Sequence, residues 1–98
     1  MHSRTLRRFR DAVRRRQYLM TTHADEEMWE DGLTIHDVEN VVLTGEIVER
    51  QQDRHTAEGK FLILGEALDG RKVVVVAKSG YLHHLVIITV YLDTNHAL

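Results

Sequence analysis

Histidine is the residue type best suited to chemistry in this chain, which has seven histidines and no cysteine among 98 residues. Imidazole titrates closer to neutral pH than any other unperturbed side chain, so it is a natural general acid or base. His23 is the best candidate, because it lies at the turn between a predicted strand and a predicted helix. A structural role is also open to it, as a cap on that helix or as a hydrogen-bond partner of the sheet.

The sequence holds no motif for a metal or a cofactor. Without cysteine there can be no thiolate zinc site, no disulfide and no cysteine nucleophile. His83 and His84 are adjacent, and adjacent side chains of a strand point to opposite faces, so the pair is a poor chelate. There is no G-x-S-x-G elbow, no phosphate loop and no dinucleotide fingerprint. We therefore expect neither a bound metal nor a cofactor.

Positive charge is concentrated at the N-terminus. Residues 1–16 contain seven arginines and one acid, a net +6, whereas the rest of the chain sums to −8. The apolar residues of this segment recur at helical spacing, which predicts an amphipathic helix over 3–16. Such a helix can meet phosphates, dock on an acidic surface or simply be solvated. The arginines that we expect to bind a partner are Arg7, Arg8, Arg14 and Arg15.

The length allows one domain with a modest core. Hydrophobic residues make up 43% and charged residues 29%, which is typical of a globular protein. No apolar run approaches the roughly 18 residues of a membrane span, and no apolar signal core follows the basic N-terminus. We expect a cytoplasmic protein without a membrane partner.

The hydrophobic periodicity changes from helical to extended after Gly45. Before it, Thr22 and Thr34 each cap a helix, and the first of these helices ends at Gly32. After it come apolar runs typical of strands, two of them separated by a hairpin signal at 69–70. The order predicts an α+β fold with a mainly antiparallel sheet. The predicted strands are 18–21, 46–52 near an edge, 60–68, 71–78, and 85–92 in a central position.

In the strand register that this hairpin predicts, both faces of the sheet are apolar. A two-residue loop at 69–70 would place Leu68 opposite Arg71 and set the register outward from there. Two helices can cover only one face of such a sheet. We therefore expect the N-terminal helix or a second copy of the chain to cover the other. In this register one face holds Leu62, Leu64, Val73 and Val75, and the other holds Phe61, Ile63, Val74 and Val76.

Several segments, in their order and spacing, resemble a family of small uncharacterised bacterial and archaeal proteins. The resemblance covers residues 18–92 and leaves the arginine-rich helix outside. Two positions where the family has arginine are occupied here by Glu27 and Asp31. The matching segments are Tyr18-Leu19-Met20-Thr21-Thr22-His23-Ala24, Glu27-Met28, Gly32-Leu33-Thr34, Gly45-Glu46-Ile47-Val48-Glu49, Leu62-Ile63-Leu64-Gly65, Asp69-Gly70-Arg71 and Ile87-Ile88-Thr89-Val90-Tyr91.

This domain-of-unknown-function family is similar to the RelE/ParE-like toxins. Its members often look like toxins paired with a zinc-finger antitoxin of the YgiT/MqsA kind. The resemblance implies a RelE/ParE-like α+β domain over 18–98, in which a strand and two helices precede an antiparallel sheet of three or four strands. A basic helix over 1–17 comes before this domain. It also implies a metal-independent ribonuclease that acts on mRNA or on the ribosome.

Metal-independent RNA cleavage needs a base for the 2′-hydroxyl, cations for the phosphorane charge and an acid for the leaving oxygen. His23 is the acid–base candidate, and Tyr91 matches the T-V-Y ending of the family. Glu49 shares a family position, from which it could act as a base or orient His23. The structural alternatives are a helix cap for His23, a core or rim aromatic for Tyr91 and an arginine-paired strand carboxylate for Glu49.

The predicted phosphate contacts are Arg50, Arg54, Lys60, Arg71 and Lys78; strand-end cations can also serve only as edge protection. Two functions follow. The first is a toxin of a toxin–antitoxin pair that cleaves mRNA, with a zinc-finger antitoxin as partner. The alternative is a non-catalytic binding module of the same fold that uses its arginine-rich helix to bind a protein or nucleic acid. A homodimer is compatible with both.

Overall fold

The computed structural model describes residues 2–52, 59–80 and 84–94. Within these ranges the chain forms a helix, a strand, two helices and four strands, which confirms the predicted α+β fold. None of the helices in these ranges has the length and apolar character that a membrane crossing requires. The elements are α1 (Ser3–Arg14), β1 (Tyr18–Met20), α2 (Thr22–Glu30), α3 (Ile35–Thr44), β2 (Glu46–Gln52), β3 (Gly59–Glu66), β4 (Lys72–Lys78) and β5 (Leu85–Leu92).

The five strands form one sheet in the order β1-β5-β4-β3-β2. β1 runs parallel to β5, and all other neighbours are antiparallel. The sheet has more strands than the three or four that the family resemblance implies, because β1 joins it beside β5. As predicted, β5 is internal and β2 is an edge strand.

The ends of α2 and α3 are set by local hydrogen bonds. Thr21, one residue before the predicted cap, accepts a hydrogen bond from the amide of Ala24 at the start of α2. Beyond the other end of α2, Gly32 has the left-handed φ of +66° that a helix stop of this kind requires. At the start of α3, Thr34 and Asp37 form a reciprocal capping box, as the sequence pattern predicts.

The β3–β4 hairpin has a three-residue loop instead of the predicted two. The Gly70 amide donates to the Ala67 carbonyl, and the Ala67 amide donates to the Arg71 carbonyl, both at 2.9 Å. Gly70 has a φ of +91°, the conformation that follows a type I turn in this class of hairpin. The predicted register is therefore wrong by one residue.

A slip of one residue exchanges the two faces of one strand relative to its neighbour. Ile63 pairs with Val75, and Leu64 pairs with Val74. The predicted grouping of side chains by face is therefore wrong, although both faces of the sheet are apolar, as expected.

All three helices pack on one face of the sheet, which we call the helix face. The ring of Phe9, from α1, is fully buried and meets Phe61 of β3 edge-on at 5.8 Å between ring centres. Of the two predicted covers for the opposite face, the N-terminal helix is therefore wrong, because the apolar stripe of α1 joins the same core as α2 and α3. The other, a second copy of the chain, stays a prediction. The buried strand residues of this core are Ile63, Val73, Val75, Ala77, Leu85, Ile87 and Val90.

The opposite face of the sheet, which we call the open face, carries none of the described helices. Val74 and Val86 lie on it, and although both are buried, neither belongs to the cluster beneath the helices. Strand pairing and alternation define the remaining members of this face. They are Leu19, Glu46, Glu49, Gln51, Lys60, Leu62, Leu64, Glu66, Lys72, Val76, Lys78, Thr89 and Tyr91.

Candidate functional site

The outward side of α1 is a ridge of arginines, which we call the arginine ridge. Its members recur at spacings of three and four residues, opposite the buried Phe9, Ala12 and Val13. At 1.5 Å per residue the ridge is about 16 Å long. It consists of Arg4, Arg7, Arg8, Asp11, Arg14 and Arg15, all largely exposed.

The arginines of the ridge differ in their partners. Arg15 pairs with Asp11 at 3.2 Å, and Arg8 donates to the Ser79 hydroxyl at 2.8 Å. Arg4, Arg7 and Arg14 form no hydrogen bond or ion pair with any residue that the structure describes. Of the four arginines predicted to bind a partner, two thus have intramolecular contacts, and the other two, Arg7 and Arg14, are exposed and have none within the described part of the chain.

Arg10 anchors the ridge to the body of the protein. Its guanidinium donates to the carbonyls of Val42, at 3.0 Å, and Gly45, at 2.7 Å. These carbonyls lie at the C-terminal end of α3, where helix carbonyls lack partners within the helix. The contact satisfies carbonyls at the α3 terminus and attaches α1 to the end of α3.

On the open face, Glu49 of β2 and Tyr91 of β5 line one pocket of about 150 Å³ together with apolar side chains of β3 and β4. Glu49 also accepts a hydrogen bond from the Gln51 side chain. Desolvation raises the pKa of Tyr91, and the negative charges of Asp93 and Glu49 raise it further. The phenol therefore keeps its proton at neutral pH, and it lies in the same pocket as the Glu49 side chain.

Lys60 and Lys78 lie on the same open face, and continuing the β3–β4 register places them opposite each other. Like charges in this arrangement repel, and an anion placed between them would relieve the repulsion. Both side chains also have contacts within the protein. The structure therefore brings four predicted site residues to one face: Glu49, Lys60, Lys78 and Tyr91.

His23 lies elsewhere, on the first turn of α2. Its side chain is 67% exposed, and its Nε2 is 3.2 Å from Oε1 of Glu27, one helical turn later. Oε1 of Glu27 also accepts the amide of Val90 at 3.1 Å, where β5 has passed the end of β1. Among the described residues no hydrogen bond or ion pair joins His23 to Glu49 or Tyr91. The spacing of His23 and Glu27 indicates their pairing, but the sequence does not reveal the contact with β5.

Two further predicted phosphate contacts are held within the protein. The guanidinium of Arg71 donates to Asp69 and to the carbonyls of Asp31, at 2.9 Å, and Gly32, at 3.1 Å. Arg50 lies on the helix face, with its guanidinium carbon 5.8 Å from the ring centre of Phe61.

Arg54, the remaining predicted contact, lies outside the described residues. No group of three or more His, Asp or Glu side chains in the described ranges is arranged to hold a metal ion.

Comparisons with curated proteins and with solved structures returned no match. One family model, described as Domain of unknown function (DUF4258), matches residues 20–92. The matched segment runs from the last residue of β1 to the last residue of β5 and leaves α1 outside. Because the match covers most of the chain, the protein belongs to this family of uncharacterised domains.

Proposed function

We propose that the protein is a nucleic-acid-binding module that holds the phosphate backbone of RNA on its arginine ridge. The observation that carries the proposal is the exposure of five arginines along one side of an anchored helix, three of them without a partner among the described residues. Guanidinium groups bind phosphate through paired, charge-assisted hydrogen bonds.

The charge distribution supports this assignment. Outside residues 1–16 the chain sums to −8, so the ridge is the surface that a polyanion approaches most favourably. The open face mixes acids with its lysines and lacks such a concentration of positive charge. The choice of RNA depends on the likeness of the family to the RelE/ParE toxins, which itself remains a prediction.

Binding of labelled single-stranded RNA, followed by fluorescence anisotropy at several salt concentrations, tests the proposal. With five arginines offset by one acid, about four phosphates are contacted, which gives a log–log salt slope near −3. Arg7→Ala combined with Arg14→Ala should weaken binding and reduce the slope by about 1.4. Lys78→Ala, which removes one charge from the open face, serves as the control.

The proposal is refuted if the wild type binds no RNA at low salt. It is equally refuted if the Arg7/Arg14 double variant binds as tightly as the wild type. A loss with Lys78→Ala as large as with the double variant would place the binding surface on the open face.

A second candidate is the toxin-like endoribonuclease, and the pairing of Glu49 with Tyr91 in one pocket favours it. In this mechanism Glu49 removes the proton of the 2′-hydroxyl, and the Tyr91 phenol protonates the leaving oxygen. Lys60 and Lys78 contribute positive charge for the phosphorane. His23 would take part in cleavage only if the bound RNA extended to the α2 edge of the sheet. The resemblance of the family to the RelE/ParE-like toxins supports this second candidate, and a zinc-finger antitoxin is the partner that it predicts.

Incubation with mRNA and with ribosomes, without metal, tests the second candidate. Cleavage by the wild type that is lost in Glu49→Gln and Tyr91→Phe would support it, and the effect of His23→Ala would show whether that residue takes part. No cleavage by a folded wild-type sample excludes it.

A further inference from the structure

We propose that a pocket at the C-terminal end of the arginine ridge is a subsite for a guanine base of the bound RNA. The pocket lies where the end of α1 meets the first turns of α3 and the edge strand β1, and its volume is about 350 Å³. The inference rests on the proposed function, because it assigns a base-recognition site to the RNA whose backbone the ridge holds. The pocket is lined by Arg16, Tyr18, Ile35, His36 and Glu39.

The first observation is the backbone conformation of Arg16. At the end of α1 the amide of Arg16 donates to the carbonyl of Val13 at 3.1 Å, and the amide of Gln17 donates to that of Ala12 at 2.8 Å. This is a Schellman motif, whose turn residue is usually glycine because it must be left-handed. Arg16 adopts this conformation with a φ of +57°, the only positive φ outside glycine in the described ranges. The turn itself does not require an arginine, and a side chain carried at a backbone cost is typical of functional positions.

The second observation is that Arg16 and Glu39 line one pocket without pairing. The Arg16 side chain is exposed and forms no hydrogen bond or ion pair within the part of the chain that the structure describes. Its charge still reaches the pocket. Burial and the contact with Glu39 raise the pKa of the Tyr18 phenol, and the Arg16 guanidinium opposes this rise. A cation and a carboxylate thus face a shared space that a ligand can enter.

The carboxylate of Glu39 is positioned from two sides. The Tyr18 hydroxyl donates to its Oε2 at 2.5 Å, and Nδ1 of His36 lies 3.7 Å from its Oε1. The Glu39 side chain is only 21% exposed. An ionised carboxylate has about four acceptor positions, so these two contacts leave others available. Glu39 therefore offers a positioned acceptor, beside the partly buried side chain of Ile35.

This combination of groups matches guanine among the four bases. O6 and N7 of guanine accept a paired contact from an arginine, and N1 and the 2-amino group donate to a carboxylate. Adenine has an amino group in place of O6, and uracil and cytosine each have a single donor group. A phosphate would be repelled by Glu39, which favours a base as the occupant. Unstacked bases of single-stranded RNA are read along these two edges, and the volume is that of a small-ligand site.

Titration with guanosine monophosphate, followed by heteronuclear NMR of the full chain, tests the pocket by itself. Uridine monophosphate is the matched probe, because the two nucleotides share their phosphate and differ only in the base. Guanosine monophosphate should shift the amide signals of Arg16, Ile35 and His36 more than uridine monophosphate does. Equal shifts with the two nucleotides, or none, would overturn the subsite whether or not the ridge binds RNA.

Fluorescence anisotropy with labelled ten-nucleotide oligouridylates tests the subsite within bound RNA. The wild type should bind an oligonucleotide with one central guanosine at least about tenfold more tightly than one without it. Replacing that guanosine by 7-deazaguanosine removes the N7 acceptor, and replacing it by inosine removes the 2-amino donor. Each replacement should remove most of the preference.

Two variants assign the contacts to the protein. Arg16→Gly removes the guanidinium and keeps the left-handed turn, so circular dichroism should show an intact fold. Glu39→Gln keeps an acceptor for Tyr18 and removes the charge. Both variants should lose most of the guanosine preference. Arg14→Ala is the control, because it removes a charge of the ridge, and it should weaken the binding of both oligonucleotides equally and keep their ratio.

The outcomes separate the subsite from the ridge. Equal binding of both oligonucleotides by the wild type overturns the subsite and leaves the ridge. Binding of neither refutes the ridge, and the comparison of the two mononucleotides then decides the subsite alone. A guanosine preference that persists in Arg16→Gly and in Glu39→Gln overturns the assignment to this pocket.

Discussion

The Asp37 carboxylate connects the helix layer to the β3–β4 hairpin, and its replacement is the most informative perturbation of the fold. Asp37 is 7% exposed. One carboxylate oxygen accepts from the amide of Thr34, at 2.8 Å, and from its hydroxyl, at 3.1 Å. The other accepts from the amide of Leu68 in the hairpin loop at 2.9 Å. A single side chain thus closes the α3 cap and fixes the tip of the hairpin.

The size of the effect follows from these contacts. Asp37→Ala removes the Asp37 half of the capping box, which is its bond to the amide of Thr34, at a cost of about 1 kcal/mol. It also leaves the partly buried amide of Leu68 without an acceptor, at about 1 kcal/mol or more. We therefore expect a loss of about 2 kcal/mol, a large part of the stability of a domain of this size. Asp37→Asn keeps the shape and one acceptor oxygen, so it should lose about half as much.

The same contacts predict the pH dependence. Hydrogen bonds from the backbone of Thr34 and of Leu68 lower the pKa of Asp37 below its usual range, and the Arg71 charge adds to this effect. Because the folded pKa is depressed, the stabilisation is complete above the unfolded value of about 3.9 and is lost as pH falls through the folded value. The difference between wild type and Asp37→Asn should therefore be constant near neutral pH and shrink in acid.

Urea denaturation followed by circular dichroism, at neutral pH and in acid, measures both effects. Asp25→Ala is the matched control, because Asp25 is an exposed carboxylate in the first turn of the neighbouring helix α2. If Asp37→Ala destabilises no more than Asp25→Ala, the role assigned to the buried carboxylate is refuted. A difference that grows in acid would refute the sign of the pKa shift.

Two further predictions concern stability. Arg71→Ala should lower the free energy of unfolding by about 1–2 kcal/mol, because it removes the bonds to Asp31 and Gly32, and should leave RNA affinity unchanged. Weaker RNA binding at unchanged stability in the same assays would show that Arg71 contacts phosphate instead. A Cβ on Gly65 would lie 2.9 Å from a backbone oxygen of α3, so Gly65→Ala should cost more than about 2 kcal/mol. Gly70 has open space around it but a φ of +91°, so Gly70→Ala should lower the free energy of unfolding by about 1 kcal/mol. Equal losses of stability in the two glycine variants would contradict the close approach of α3 to β3.

Local sequence signals predicted the elements well, because each depends on residues within one turn of one another. The capping pattern from Thr34 to Asp37 and the glycine at position 32 place the ends of the helices. Apolar periodicity predicts the amphipathic α1, with Phe9 and Val13 on its buried side.

The register of the hairpin was not predictable in the same way. Asp69-Gly70 is compatible with loops of two or three residues, and the two differ little in local energy. The choice depends on Asp37, distant in sequence, whose carboxylate holds the amide of Leu68. It also depends on Gly65, over which α3 passes closely. Both interactions exist only once α3 packs against the sheet.

The candidate sites also combine features that the local sequence predicts with features that only tertiary contacts decide. The sequence alone identified a basic amphipathic helix, because charge and periodicity are properties of consecutive residues. It could not tell that Arg10 anchors this helix while Arg7 and Arg14 remain exposed, because the Arg10 partners belong to the end of α3.

Tertiary structure also decided which predicted site residues meet. Glu49 and Tyr91 come together through three successive strand pairings, whereas His23 pairs with Glu27 at the sheet edge. By itself the sequence determined the elements, the charged helix and an apolar sheet, since these follow from short-range periodicity. Which face of the sheet stays open was determined only by the packing of α1 beside α3. Both faces of the sheet are apolar and similar in composition, so the sequence does not distinguish them.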